Sequence, residues 1–134
     1  MTNSESKFNY SSKKLDLEER TAAFGEAITL FVKSVPKDIA TVSILNQLIR
    51  SGTSVGANYC EANDAESRKD FIHKLGIVRK EAHETKHWLR MIAVAEPSCI
   101  EQARKLWQEA KELNLIFSAV IRSSKSNLNS SNEH

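Results

Sequence analysis

Arg50-Ser51-Gly52-Thr53-Ser54-Val55-Gly56-Ala57-Asn58-Tyr59-Cys60-Glu61-Ala62 is the stretch whose reading decides the fold. Apolar residues on either side of it recur with helical spacing, yet it is rich in small and polar residues that helices disfavour. Glycine in a helix interior costs about 1 kcal/mol relative to alanine, and Gly52 and Gly56 stand one turn apart. A helix that keeps both is expected to press bare backbone against a neighbour. Ser51, Ser54, Asn58 and Glu61 follow at steps of three and four, so they share a second face. That face reads as a catalytic surface or as a polar layer inside a bundle. No acid–base pair stands out among these residues, and buried polar groups normally satisfy one another. The preferred reading is therefore structural, a layer of Arg50, Ser54, Asn58 and Glu61 meeting Glu84, with Glu81 and Thr85 beside it on the next helix.

Working outward, the surrounding chain divides into helices. The second helical segment begins near Asp38 and carries Val42, Leu45, Leu48, Ile49, Val55 and Tyr59, fading at Asn63-Asp64. Before it, Asp16 with Glu19 three residues later has capping-box spacing, and Phe24, Ile28, Phe31 and Val35 form a stripe that ends at Pro36. After it, a third segment starts around Ser67 with Phe71, Leu75, Val78, Ala82, Thr85, Leu89 and Ile92, and stops at Pro97. Ser98 with Glu101 has the capping spacing again, opening a fourth segment through Leu106, Ala110, Leu113, Phe117 and Ile121. No window alternates with the two-residue period of a strand.

These segments predict an all-α protein, an antiparallel up-down four-helix bundle over residues 16–122. Residues 1–15 are expected to form a flexible N-terminal arm and residues 123–134 a disordered polar tail. Trp88, Trp107 and the Phe117/Ile121 edge widen the apolar stripes beyond one face, which points to a homo-oligomer. Hydrophobic content of 40% with 27% charged residues is globular rather than disordered. No apolar run is long enough to cross a membrane, and the polar N-terminus lacks a signal-peptide core, so the expected location is cytoplasmic. Cys60 and Cys99 are too few for a disulfide framework and have no metal-type spacing.

Net charge is only +2, but its distribution is uneven. From Arg68 to Arg90 seven Lys/Arg face three acids. Arg79, His83, Lys86 and Arg90 follow steps of four, three and four, with Lys80 beside them, so they form one stripe on the third helix. Such a row suits the phosphates of RNA or DNA. The alternative is a solvated face on a protein-interaction scaffold that binds no nucleic acid. A third reading uses His83-Glu84-Thr85-Lys86-His87, which matches the H-E-x-x-H pattern of zinc hydrolases. It lacks the further Gly and His of the extended pattern and any strand to align a substrate. Glu84-x-x-His87 has di-metal spacing, but no second Glu-x-x-His exists to complete such a site. The expectation is no enzyme activity, no metal and no cofactor.

The order of elements resembles the small four-helix-bundle proteins encoded within intervening sequences of bacterial 23S ribosomal RNA genes. The residues that carry the resemblance are Val35-Pro36, Gln47-Leu48-Ile49-Arg50, Ser54-Val55-Gly56-Ala57-Asn58-Tyr59-Cys60-Glu61, Phe71, Glu84-Thr85 and Trp88-Leu89, within roughly residues 17–122. Tyr59-Cys60 stands where Ile-Ala is usual in that family, Ala62 where glycine is common, and Glu81 where serine is frequent. His83 and His87 lie outside the family pattern. The resemblance implies a ring-shaped homo-oligomer, commonly a homopentamer, with no established enzyme activity. It also implies kinship with an accessory protein of diversity-generating retroelements, whose basic barrel binds nucleic acid and a reverse transcriptase. The partners expected from it are therefore the chain itself, RNA or DNA, and a reverse transcriptase or other protein, with no membrane.

Overall fold

The computed structural model describes residues 16–133, with side chains to residue 129. The N-terminal arm expected over residues 1–15 lies outside the described residues. Four helices follow in order: α1 (Leu17–Ser34), α2 (Ile39–Asn63), α3 (Arg68–Ala95) and α4 (Ile100–Glu133). Among the described residues there is no strand. Consecutive helices are antiparallel neighbours, with α2 against α3 and α3 against α4 the most extensive contacts and α1 against α4 the slightest. No described helix is long and apolar enough to cross a membrane.

Local chemistry sets most of the boundaries. Asp16 accepts a hydrogen bond from the Glu19 N–H at 3.0 Å, satisfying one of the unpaired donors of the first turn. Asp38 accepts from the Ala40 and Thr41 N–H groups, while the Thr41 hydroxyl accepts from the Asp38 N–H at 2.8 Å, a closed capping box. Ser67 caps α3 through the Asp70 N–H at 3.0 Å. Pro36 and Pro97 fall between helices, where a missing N–H does no harm.

Two boundaries differ from the sequence expectation. Ser98 does not cap α4: its hydroxyl bonds the Glu96 carboxylate at 2.7 Å, and a short 3-10 turn over Pro97–Cys99 leads into the helix. A proline just ahead of a helix presets the backbone angle, so the turn winds directly into α4 without a side-chain cap. Nor does α4 stop at residue 122. It continues through Glu133, and Phe117, Ile121 and Ser124 carry the inward ridge onward at steps of four and three. The polar composition hid a helix whose inner face still packs.

The glycine reading of the central stretch is borne out. A Cβ on Gly52 would meet Ile28 Cγ2 at 2.8 Å and Cγ1 at 2.9 Å, and one on Gly56 would meet the Thr21 carbonyl oxygen at 3.2 Å. Gly25 on the facing helix would carry a Cβ 3.6 Å from the Thr53 Cα. The α1–α2 crossing therefore excludes a Cβ at Gly52, crowds one at Gly56 and leaves ordinary contact room at Gly25. The core beneath it combines Phe24, Ile28, Leu48, Val55, Leu75, Val78, Leu89, Ile92, Leu113 and Phe117. The rings of Tyr59 on α2 and Phe117 on α4 lie 5.4 Å apart, across the middle of the bundle.

The surplus apolar surface is not where the stripes suggested. Phe117 and Ile121 are buried within the chain, and Trp88 and Trp107 are half-covered. Among the described residues, the large apolar side chains left exposed are Leu30, Ile39, Val42, Val94 and Leu115.

Candidate functional site

The functional reading turns on how α3 is rotated. Its inward ridge is Leu75, Val78, Ala82, Thr85, Leu89 and Ile92, repeating at three and four. One flank meets α2. There Lys74 Nζ lies 3.6 Å from Glu61, and Arg50 reaches both Glu81 and Glu84. The other flank meets α4, where the Asn114 amide donates to the Arg79 carbonyl at 3.1 Å and Lys86 Nζ stands over the Trp107 ring at 5.5 Å. With 3.6 residues per turn, Arg79, Lys86 and Arg90 fall on this α4 flank. His83 lies at its outer edge, and Lys80 and His87 lie further round, all three exposed.

Of the predicted basic stripe, Arg79, Lys86 and Arg90 thus run along the α3–α4 seam, while His83 and Lys80 face outward from it. Among the described residues, Arg79, Lys80, Lys86 and Arg90 make no ion pair. The two glutamates that might have neutralised it, Glu81 and Glu84, point to the opposite flank and are engaged by Arg50.

Across the seam, α4 adds residues that the sequence reading had not assigned to the site. Arg104, Trp107 and Lys111 follow at steps of three and four, and Lys111 Nζ stands 5.8 Å from the Trp107 ring centroid. Among the described residues Arg104 makes a single ion pair, with Glu101 one turn away at 3.5 Å, both largely exposed. Such a pair is worth little. The helical spacing of these three residues was visible in the sequence. Their approach to Lys86 and Arg90 was not, because it depends on how two antiparallel helices are set against each other.

The expected polar layer needs correction. Arg50 is 46% exposed at its side chain, so its contacts with Glu81, Glu84 and the Gln47 amide oxygen form a surface clasp. Glu84 also accepts from the Trp88 indole N–H at 2.9 Å. Ser54 donates to the Arg50 carbonyl and Asn58 to the Ser54 carbonyl, both within α2. Glu61 is exposed. The pair that does cross the core is Ser51 and Thr85, both fully buried, with hydroxyls 3.1 Å apart and Thr85 also bonded to the Glu81 carbonyl at 2.7 Å. The four stay on one side of α2, but burial falls from Ser51 through the half-buried Ser54 and Asn58 to the exposed Glu61. Only the first of them faces α3 squarely.

His83 and His87 both lie on the outside, and the His87 ring sits edge-on to Trp88 with centroids 4.8 Å apart. Among the described residues no three His, Cys, Asp or Glu side chains converge as a metal site requires. Both cysteines are free. A hydrogen bond to the Glu18 carboxylate, 3.4 Å away, raises the thiol pKa of Cys60 above its ordinary value, while burial chiefly raises that of Cys99. Neither is set up as a thiolate nucleophile.

The family model described as 23S rRNA-intervening sequence protein matches residues 13–119, the whole bundle apart from the last turns of α4. The chain belongs to that family. Within the solved structures, a protein of unknown function from the S23 ribosomal protein family of Bacteroides thetaiotaomicron is similar at 33% identity with a TM-score of 0.67. The match covers 78% of this chain and 96% of that one. No curated protein matches the chain. The family therefore carries the fold, and the chemistry of the α3–α4 seam has to be argued from its residues.

Proposed function

We propose that this 23S rRNA-intervening sequence protein is a non-enzymatic, self-associating bundle that binds nucleic acid through the basic seam of α3 and α4. The carrying observation is the set of cations Arg79, Lys80, Lys86 and Arg90 without carboxylate partners among the described residues, extended across the seam by Arg104 and Lys111. Cations not already neutralised by the protein are those that release counterions from a phosphate backbone. With about five phosphates contacted, raising salt from 50 to 200 mM weakens binding roughly several hundred-fold. Fluorescence anisotropy of a labelled RNA hairpin across that range tests the reading. Lys86→Gln with Arg90→Gln should flatten the logarithmic salt slope by about two. No binding at 50 mM salt refutes it.

The non-enzymatic part is supported by side-chain placement. Among the described residues His83 and His87 gain no third ligand, and the buried hydroxyls of Ser51 and Thr85 are used up in bonds within the bundle. Elemental analysis that found one zinc per chain, lost in His83→Ala, would overturn it.

Self-association is supported by the apolar surface. Leu30 is 67% exposed beside an open groove between α1 and α2, lined by Thr21, Ala22, Gly25, Thr53, Gly56 and Ala57. A head-to-tail contact that seats this groove on another copy away from its α3–α4 seam leaves the cations free, and it forms a ring where the rotation closes. The family resemblance makes five copies the expected number. Sedimentation that returned only monomer would refute this part. The same groove favours the second reading, a scaffold for another protein, which survives if the hairpin fails to bind.

A further inference from the structure

The α3–α4 seam holds an indole as well as charge. Trp107 is half-buried on the core, with the ammonium groups of Lys86 and Lys111 at 5.5 and 5.8 Å from its ring. Toward the start of α4 it borders a groove lined by Leu89, Ala93 and Ala103, with the exposed Val94, Arg90 and Arg104 around it. An apolar floor, an aromatic face and four flanking cations are brought together from two helices at one place.

We infer that Trp107 is a stacking platform for an unpaired nucleobase, with Lys86, Arg90, Arg104 and Lys111 gripping the phosphates on either side. The seam then selects single-stranded nucleic acid over duplex. This rests on the nucleic-acid reading above and adds to it the form of the ligand. Charge alone attracts any phosphate backbone, whereas a half-buried ring is reached only by a base that has left its own stack. Every base presents a π-face, so the platform tolerates sequence.

The cations fit this role. The two lysines over the ring have flexible stems and no carboxylate partner among the described residues, so a stacking base displaces them outward toward its own phosphates. Arg104 has only its exposed pair with Glu101 to give up. An acidic peptide can use the same cations but brings no flat surface to the indole, which is why a nucleic acid is the better occupant.

Two labelled probes of equal length test the inference at 50 mM salt, a 12-nucleotide uridine-rich RNA and a 12-base-pair duplex. The assay is anisotropy, accompanied by tryptophan emission in a Trp88→Phe background that leaves Trp107 as the reporter. The expected result is tighter binding of the single strand, with quenching of Trp107. Trp107→Leu, which keeps an apolar side chain, weakens the single strand roughly 5–150-fold and leaves the duplex unchanged, whereas Trp107→Phe retains most of the affinity. Far-UV circular dichroism on each variant confirms the helical fold. Both probes binding with no response to Trp107→Leu overturns the platform and leaves the nucleic-acid reading standing. Neither probe binding overturns both. Poly-glutamate that quenches Trp107 and competes as well as the single strand overturns the platform in favour of an acidic segment.

Discussion

Replacing Gly52 by alanine isolates the close contact on which the α1–α2 crossing depends. The new methyl group would meet Ile28 Cγ2 at 2.8 Å and Cγ1 at 2.9 Å, closer than carbon atoms approach. Ile28 is fully buried, and a β-branched side chain in a helix has essentially one rotamer, so it cannot turn aside. Either α1 moves outward or the strain stays. Overpacking of this kind costs about 1–3 kcal/mol. Against it stands the gain of about 1 kcal/mol from replacing glycine by alanine in a helix interior. Gly76→Ala provides the control, because a Cβ there meets nothing within 4 Å and only the helical gain remains. The propensity term is common to both variants, so the difference between them measures the contact: Gly52→Ala should be less stable than Gly76→Ala by about 1–3 kcal/mol. Urea unfolding followed by far-UV circular dichroism, at matched protein concentration because the chain is proposed to self-associate, reads this directly. Removing the obstructing atoms closes the cycle. Ile28→Ala alone costs about 2–5 kcal/mol, and in that background Gly52→Ala should lose most of its penalty, since the atoms at 2.8 and 2.9 Å are gone and only the Cβ at 3.1 Å remains. Equal stability of the Gly52 and Gly76 variants, within about 0.5 kcal/mol, would refute the close-packing argument.

Three further outcomes follow from the same geometry. Ser54→Ala and Asn58→Ala should each change stability by no more than about 0.5 kcal/mol, because their side chains bond only to carbonyls of their own helix; urea midpoints shifted well beyond that would restore them to a bundle-locking layer. In a Cys99→Ala background, the pH at which Cys60 becomes half-reactive toward iodoacetamide should lie above that of an ordinary thiol, and Glu18→Gln should move it down, since the Glu18 carboxylate favours the protonated thiol. A profile unmoved by Glu18→Gln would refute that pairing. Truncation after Val120 removes Ile121, which is buried, and should cost about 1.5–3 kcal/mol, while truncation after Lys125 should leave the midpoint nearly unchanged; equal losses would show that the end of α4 does not pack as described.

The helices themselves were legible because their signals are local. Asp16, Asp38 and Ser67 bond backbone donors within three residues, and Pro36 and Pro97 interrupt the chain where they stand, so no knowledge of the neighbours is needed to find these ends. The close-contact role of Gly52 and Gly56 was legible for a related reason: glycine is costly inside a helix unless something forbids a side chain. The end of α4 was misread because serine and asparagine dominate its composition while one residue in three or four still faces inward. Ser124 is small enough to be buried there without an apolar side chain.

Periodicity says which residues share a face, but not which neighbour that face meets or where it reaches water. The steps of three and four that joined Ser51, Ser54, Asn58 and Glu61 kept them on one side of α2 while burial fell from core to solvent, and only the packing of α3 selected Ser51 as the buried partner of Thr85. The rotation of α3 likewise turned Glu81 and Glu84 toward Arg50 and left Arg79, Lys86 and Arg90 without counter-charges beside α4. Trp107 entered the site through its distance to Lys86, a residue far away in the chain. By itself, then, the sequence determined the helices, most of their ends and the close contact at Gly52 and Gly56, since each is written in short-range backbone and steric requirements. The polar pair in the core and the basic, aromatic seam were decided by the tertiary structure, because both depend on the rotation of one helix against another.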